Sequence, residues 1–293
     1  SGKTAMGINA RNRNMVAMLN TPNDLLTATD KLATKTRLTD ANIPVPQTIA
    51  AFHQYSDIEA LPDALANLTE FVIKPNAGSQ GNGIIVIRDK KDDKFICANG
   101  KSLTQQDIAH HIKAIINGQY SQLDEQDSAY IEPLIHQHPT LNTITESGLA
   151  DIRIVVINNT ITSAMLRLPT SNSGGKANLH QGALGAALDM KTGIITRCLY
   201  RGASIVEHPD TLAPVVGCQL PYWPEILAMS ARCSEALPLG YLGVDICLDE
   251  TLGPLVLELN GRPGLEIQNV TQRSLPMTSN SSDLTTLFRS EEH

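Results

Sequence analysis

Aromatic residues are scarce in these 293 residues: four Phe, six Tyr and the single Trp223. That argues against a stacking platform for single-stranded nucleic acid, which needs several aromatic faces along a basic groove. Positive charge is also short, with 23 Lys and Arg against 30 Asp and Glu, a net charge of -7. A general nucleic-acid binder needs a basic face for its phosphate contacts, so that class is set aside. A single nucleotide, held by a few cations, is not. Long apolar runs are missing. Stretches such as Ile84-Ile85-Val86-Ile87 fall far short of the ~20 residues that cross a bilayer. No CxxC pair occurs, and the five cysteines (Cys97, Cys198, Cys218, Cys233, Cys247) are an odd count. This favours reduced thiols in the cytoplasm over a disulfide framework or a zinc site. No charged-then-apolar signal segment opens the chain; Met6 reads as the native start, and the residues before it are left out of the fold argument. The hydrophobic share of 42% is enough to bury a core in one large domain or two ordinary ones.

Short β-branched runs, tight turns and isolated helices organise the chain. Asp30 to Ala41 reads as a helix stopped by Asn42-Ile43-Pro44, because proline disfavours helical geometry in the residue before it. Phe71 to Lys74 and Ile84 to Arg88 read as strands joined by a glycine-rich segment, with a third strand over Phe95 to Ala98. Thr104 to Ile116 reads as a helix opened by a capping arrangement with Asp107 in place of Glu, and Ala129 to Ile135 as a strand interrupted by Pro133. From Ile152 onward hairpins dominate: Ile152 to Ile157 and Ile161 to Leu168 flank Asn158-Asn159, a pair that tolerates positive φ. Pro224 to Leu237 is the long helix of this half. Hairpins without long crossovers predict a mainly antiparallel sheet with helices beside it. The tail after Leu275, rich in Ser and Thr, is expected to be loosely held.

The most informative segment is the hairpin Gly243-Val244-Asp245-Ile246-Cys247 … Leu257-Glu258-Leu259-Asn260-Gly261-Arg262-Pro263-Gly264. A regular hairpin centred between Thr251 and Leu252 puts Asp245 opposite Glu258 and Gly243 opposite Asn260, with Asp245, Glu258 and Asn260 on one face. Two carboxylates side by side repel unless a cation lies between them. Oxygen ligands without His or Cys suit Mg²⁺, which takes phosphates and waters as its remaining ligands. The bland alternative is a solvated polar face. Asn260 leads into a stiff turn carrying Arg262, and Gly243 clears space opposite it; both favour the metal. Upstream, Lys74 is followed by Pro75 to Gly83, where the bare N–H groups of Gly78, Ser79, Gly81 and Gly83 could approach phosphate oxygens. It is neither a P-loop nor a dinucleotide fingerprint, and a glycine-rich hairpin is more often only a mobile turn.

Taken in order, these pieces resemble an ATP-grasp ligase, and within that superfamily the chain is similar to the RimK-like α-L-glutamate ligases. The match is carried by Asp30-Lys31-Leu32, Ile43-Pro44-Val45-Pro46, Val72-Ile73-Lys74 with its glycine loop, Ile131-Glu132-Pro133-Leu134, Asp151-Ile152-Arg153, Lys176 to Gly182 and the carboxylate hairpin. It spans roughly Thr29 to Ile267.

The resemblance implies an α+β fold of two lobes with mainly antiparallel sheets clasping a nucleotide, behind a much shortened N-terminal domain. Its divisions are an arm over residues 1–27, a small lobe over 28–131, a large lobe over 132–275 and a tail over 276–293. The arm, with its Asn9 to Asn14 stretch, would touch substrate, cap the nucleotide lobe or mediate self-association into a homo-oligomer. Lys31 and Lys74 would hold phosphates, with Gly78, Ser79, Gln80, Gly81 and Gly83 closing over them as a lid. Of the helix lysines, Lys31 is preferred to Lys35. Glu132 and Leu134 would meet the adenine edge through backbone groups, Ile73 and Leu257 would pack on its faces, and His138 is the candidate near the ribose. Arg153, Arg167, Lys176 and Asn178 would line the reacting end. Asp245, Glu258 and Asn260 would hold two Mg²⁺ ions, with Mn²⁺ able to substitute. Arg262, Gly264 and His180 would lie toward the substrates. Arg153 and Arg167 would face opposite sides of a hairpin with a two-residue turn, so sharing a site requires a bulge or a longer turn.

The implied reaction makes an amide from a carboxylate and an amine, drawn from small molecules or peptides, through an acyl phosphate. A kinase using the same nucleotide site and a non-catalytic nucleotide-binding module are the alternatives. Neither nucleic acid nor membrane is an expected partner.

Overall fold

The computed structural model describes residues 8–264 and 266–272. The region around Met6 and the tail of residues 276–293 lie outside the described residues. Three helices come first: α1 (Ile8–Leu19), α2 (Pro22–Thr29) and α3 (Lys31–Asp40). Thr21 caps α2 by accepting from the Asp24 amide, and Pro22 occupies the first turn, where its missing N–H leaves nothing unpaired. Asp30 then starts α3 by accepting from the Ala33 amide. The expected arm is therefore two helices. Its Asn-rich sequence has little apolar periodicity, and packing on the second sheet is what makes such short helices stable.

The first sheet carries β1 (Ala50–Phe52), β2 (Phe71–Pro75), β3 (Ile85–Lys91), β4 (Lys94–Cys97), β5 (Ser102–Leu103) and β6 (Ala129–Glu132), in the order β1-β6-β2-β3-β4-β5 with antiparallel pairings throughout. Helix α4 (Leu61–Leu65) and helix α5 (Gln105–Ile116) pack beneath it. Thr104 and Asp107 form the expected capping box, and Ile108, Ile112, Ile115 and Ile116 make the apolar stripe that α5 buries. β6 stops at Glu132, ahead of Pro133.

After the short α6 (Pro139–Asn142) comes the second sheet. It holds β7 (Asp151–Ile157), β8 (Thr160–Leu168), β9 (Leu184–Leu188), β10 (Ile195–Tyr200), β11 (Ala203–Ile205), β12 (Tyr241–Asp249) and β13 (Gly253–Asn260) in the antiparallel order β11-β10-β9-β8-β7-β12-β13. Asn158 and Asn159 adopt φ of 46° and 65°, the two-residue turn their side chains favour. Ile152, Ile154, Val156, Ala164 and Leu166 point to the back of this sheet and pack with helix α7 (Trp223–Ala236). Each buried aliphatic there contributes roughly 1.5–3 kcal/mol.

The front face is divided. Val155, Ile157, Met165, Ala187 and Tyr241 form an apolar half, covered by Met15, Val16 and Leu19 of α1 and by Ile267 and Val270 of α8 (Glu266–Thr271). Asp151, Arg153, Arg167 and Asp245 form the other half, which faces the cleft between the lobes. Helix α3, grouped with the small lobe on sequence grounds, sends Leu38 into the core of the second sheet, where Ile43 of the following segment joins it. No helix among the described residues is long and apolar enough to cross a membrane.

Candidate active site

β12 and β13 pair Asp245 with Glu258 and Gly243 with Asn260, as the hairpin reading expects. The route to that register is irregular. Asp249 pairs with Gly253 around a three-residue loop, and the register then shifts at Leu257, which stands unpaired between Val256 and Glu258. The two one-residue deviations cancel at the carboxylates. A Cβ on Gly243 would lie 3.2 Å from Arg153 Cδ, so the glycine makes room for that arginine.

The same device unites the arginines. Val155 pairs with Ser163 but Val156 with Ile161, so Thr162 is an extra residue in β8. That bulge turns Arg167 to the face of Asp151 and Arg153, which meets the requirement set by the two-residue turn. Arg153 forks onto Asp245, its Nη2 donating to Oδ2 at 2.9 Å. Arg167 donates to both oxygens of Asp151, at 2.6 and 2.5 Å, and its Nη2 lies 3.0 Å from Asp245 Oδ2. Burial would raise the Asp245 carboxyl, but Arg153 and Arg167 outweigh it and hold it down at about 2. Asp151 goes the other way: burial dominates, Asp245 adds to it, and the carboxyl is pushed up to about 6 despite Arg167. Asp151 is absent from the site read off the sequence. Its position two residues before Arg153 on a strand is the signal that would find it.

The glycine loop is docked. Lys31 Nζ and Gln122 Nε2 both donate to the Gly78 carbonyl, at 2.7 and 3.0 Å, and Lys31 Nζ lies 3.8 Å from Glu258. Asn76 accepts from the Leu32 amide and donates to Asp30, while the Ala77 amide donates to Asp127. A Cβ on Gly81 would meet the Lys176 side chain at 3.5 Å, so the lid tip touches the loop of the second lobe. Ser79, Gln80 and Gly81 face the cleft; Gly78 and Gly83 lie outside its lining, with the Gly83 carbonyl accepting from His111 Nε2 at 2.7 Å.

The adenine set is arranged differently from expectation. Ile73 is fully buried among Phe71, Ile87 and Ile131 in the small-lobe core and has no face free for a base, because strand alternation turns Val72 and Lys74 to the other side. Glu132 is 3% exposed and clamps two lysines, Lys74 at 2.7 Å and Lys35 at 2.8 Å. Burial alone would raise its carboxyl; Lys74 and Lys35 outweigh that and keep it low. Lys74 therefore points to Glu132 and stays outside the cleft lining, and Lys35 is a buried member of the network that Lys31 had overshadowed. Leu134 is half-buried beyond β6, Leu257 lines a small recess with Lys35, and His138 caps α6 with its ring against Tyr222.

At the other end, α1 braces the turn after β13. Asn12 donates to the Pro263 carbonyl and accepts from Tyr241 Oη, at 3.3 and 2.9 Å. Asn20, 5% exposed, donates to the carbonyls of Tyr241 and Gly261 and accepts from the Tyr241 amide. Arg262 is exposed, with its amide donating to Asn260 Oδ1 at 2.8 Å. Asn178 accepts from the His180 amide, and His180 pairs with Glu266 beside Gly264.

Lys31, Ser79, Gln80, Gly81, Arg153, Arg167, Lys176, Asn178, His180, Asp245, Glu258, Asn260, Arg262 and Gly264 thus line one cleft of about 1020 Å³. Among the described residues no three His, Cys, Asp or Glu side chains form a metal cage of their own. Two carboxylates and an amide oxygen on one face are the donor types of a hard divalent ion that shares its shell with phosphates; both Asp245 oxygens are held by Arg153 and Arg167, which leaves Glu258 Oε atoms the most open donors.

The chain is 23% identical to cyanophycin synthetase of Geminocystis herdmanii (strain PCC 6308), over 92% of its own length and 32% of that protein. It therefore spans about a third of that curated relative. Among solved structures, D-alanyl-alanine synthetase A from Vibrio cholerae O1 biovar eltor aligns over 84% of this chain and 59% of its own, with TM-score 0.50 and 12% identity. The ATP-grasp ligase PsnB complexed with minimal precursor aligns over 88% and 60%, with TM-score 0.46 and 16% identity. The model of the sugar-transfer associated ATP-grasp family matches residues 10–282, and the chain belongs to that family.

Proposed function

We propose that this protein is an ATP-dependent carboxylate–amine ligase working through an acyl phosphate. The observation that carries the reading is the convergence of Lys31, Asp245, Glu258 and Asn260 beneath the glycine loop in one cleft, with Arg153 and Arg167 in its floor. Magnesium bound at Asp245, Glu258 and Asn260 supplies charge neutralisation of the phosphates.

The residues do the rest. Lys31 and the bare amides of the lid hold the triphosphate, and the lid excludes water from an intermediate that hydrolyses readily. A substrate carboxylate oxygen attacks the γ-phosphorus, the bond to the β–γ bridging oxygen breaks, and ADP leaves. Phosphoryl transfer is chiefly alignment and charge stabilisation, which suits a site of cations and no protein nucleophile. The amine nitrogen then attacks the acyl carbon, phosphate departs with the C–O bonding pair, and the nitrogen gives up one proton to the departing phosphate. Arg153 and Arg167 offer cationic hydrogen bonds to the oxyanion formed on the way.

Glutamate as the acid, Mn²⁺ as a substitute ion and a cytoplasmic setting belong to the same reading; the first comes from the RimK-like resemblance, the last from five free thiols. Hydroxylamine trapping tests it. With ATP, Mg²⁺ and a panel of acids, the ligase yields a hydroxamate and ADP. A kinase yields a phosphorylated product that hydroxylamine leaves intact, and a binding module yields neither.

A further inference from the structure

Helix α2 is unusual in what it does with its apolar stripe. Pro22, Leu25, Leu26 and Thr29, spaced three and four apart, face the cleft. Leu26 is 55% exposed. Across the opening the small lobe presents Leu123, 46% exposed, which lines the same cleft. The Gly78 carbonyl links the neighbours of the two walls: it accepts from Gln122, next to Leu123, and from Lys31, whose helix follows α2 directly. What sets these leucines apart from other exposed apolar side chains is that they line one cleft, where a ligand's apolar group would cover them. The deeper floor, by contrast, is built of Asp151, Arg153, Arg167 and Asp245.

We propose that Leu25, Leu26 and Leu123 form an apolar subsite for the side group of the amine substrate, an amino acid or peptide end whose carboxylate faces Arg262. The inference rests on the ligase reading and adds the substrate class. The acid must reach the γ-phosphate and so takes the charged floor; the amine arrives second, from the open mouth where these leucines stand. The neighbouring cation fits. Leu25 packs against Gly261, where a Cβ would be 2.6 Å from its Cδ2, and Arg262 follows with its side chain in the cleft and no ion pair among the described residues. An acidic amine would put its second carboxylate against leucines, which desolvation penalises.

Calorimetric titration tests this on the 293-residue chain with Mg²⁺ and a non-hydrolysable ATP analogue bound. The probes are L-leucine, L-glutamate and L-leucinamide. L-leucine binds about tenfold more tightly than L-glutamate, the range a few methylenes supply in an apolar pocket. L-leucinamide, lacking the carboxylate, binds more weakly than L-leucine. Leu26→Glu and Leu123→Glu, both at exposed positions, each reduce L-leucine affinity about tenfold and leave the analogue's affinity unchanged. Equal or tighter binding of L-glutamate, no binding of any probe, or variants that do not discriminate overturns the subsite. Loss of the ligase reading shows separately, as absence of hydroxamate in the trapping assay.

Discussion

Arg153 and Asp245 stand directly opposite each other on β7 and β12 and meet as an ion pair buried in the cleft floor. One carboxylate thus serves two ends: it anchors the arginines of the cleft floor, and it is the strand partner of the half-buried Glu258. Asp245→Ala removes a proposed metal ligand and strands Arg153 without its counter-charge. Breaking a buried pair costs about 3–5 kcal/mol. The expected outcome is loss of Mg²⁺-dependent ATP consumption together with a lower denaturation midpoint. ATP consumption at the wild-type rate would remove the metal assignment.

Asp151 and Asp245 predict opposite limbs in the pH dependence of stability. The Asp245 carboxyl is held at about 2, below the ordinary 3.8, so its contribution is complete above pH 3.8 and drains away as pH falls toward 2. Asp151, raised to about 6 chiefly by burial, binds its proton more tightly when folded. Its contribution falls as pH rises from about 4 to about 6 and is level above. Asp151→Asn removes that second limb, so urea midpoints of the variant relative to wild type rise between pH 4 and pH 6. A parallel offset across the range would contradict the assignment.

Glu132 carries two lysines, and Lys35 is nearly as buried as the carboxylate itself. Burial pulls the Lys35 ammonium below its ordinary value, and Glu132 partly restores it. Glu132→Ala is expected to cost about 3–5 kcal/mol near neutral pH. The loss shrinks as pH rises toward 10, because an unpaired Lys35 sheds its proton while the unfolded chain still holds it. Denaturation measured at pH 7 and pH 9.5 checks both the size and the slope.

Gly83 closes the lid with φ of 78°, and a Cβ there would lie 2.6 Å from Tyr120 Cγ. Gly83→Ala combines left-handed strain of roughly 1–2 kcal/mol with that collision. The expected result is faster protease cleavage within residues 76–84 and weaker nucleotide binding. Gly100→Ala makes the comparison: its φ of 83° carries the same strain with open space around it.

Asn20 makes three buried hydrogen bonds that join α1 to β12 and to the turn bearing Arg262. Asn20→Ala leaves those backbone groups unpaired, a cost of about 2 kcal/mol or more. Beyond stability, the turn at Gly261 to Gly264 loses its support, so KM for the amine rises while KM for ATP holds. Asn20→Asp keeps the acceptor for the Tyr241 amide but sets a carboxylate oxygen against the carbonyls of Tyr241 and Gly261, so near neutral pH it gives no rescue.

Much of this site was legible in local signals. Strand alternation gave Asp245, Glu258 and Asn260 a common face, Asn158-Asn159 announced their turn, and Thr104 with Asp107 announced the start of α5. Ile73 was misplaced because side-chain period tells which residues share a face but not which face meets the core. Asp151 was passed over, since a carboxylate beside an arginine on a strand reads as an ordinary surface pair until the second aspartate is brought beneath it.

The order of residues alone indicated the antiparallel second sheet and the common face of Asp245, Glu258 and Asn260, because short-range periodicity and turn chemistry encode them directly. Only the folded chain decided that Thr162 bulges to bring Arg167 beside Arg153, that Glu132 gathers Lys35 and Lys74, and that the first helix lies across the second sheet. The last two depend on contacts between residues 58 to 229 apart, whose energies no local pattern carries.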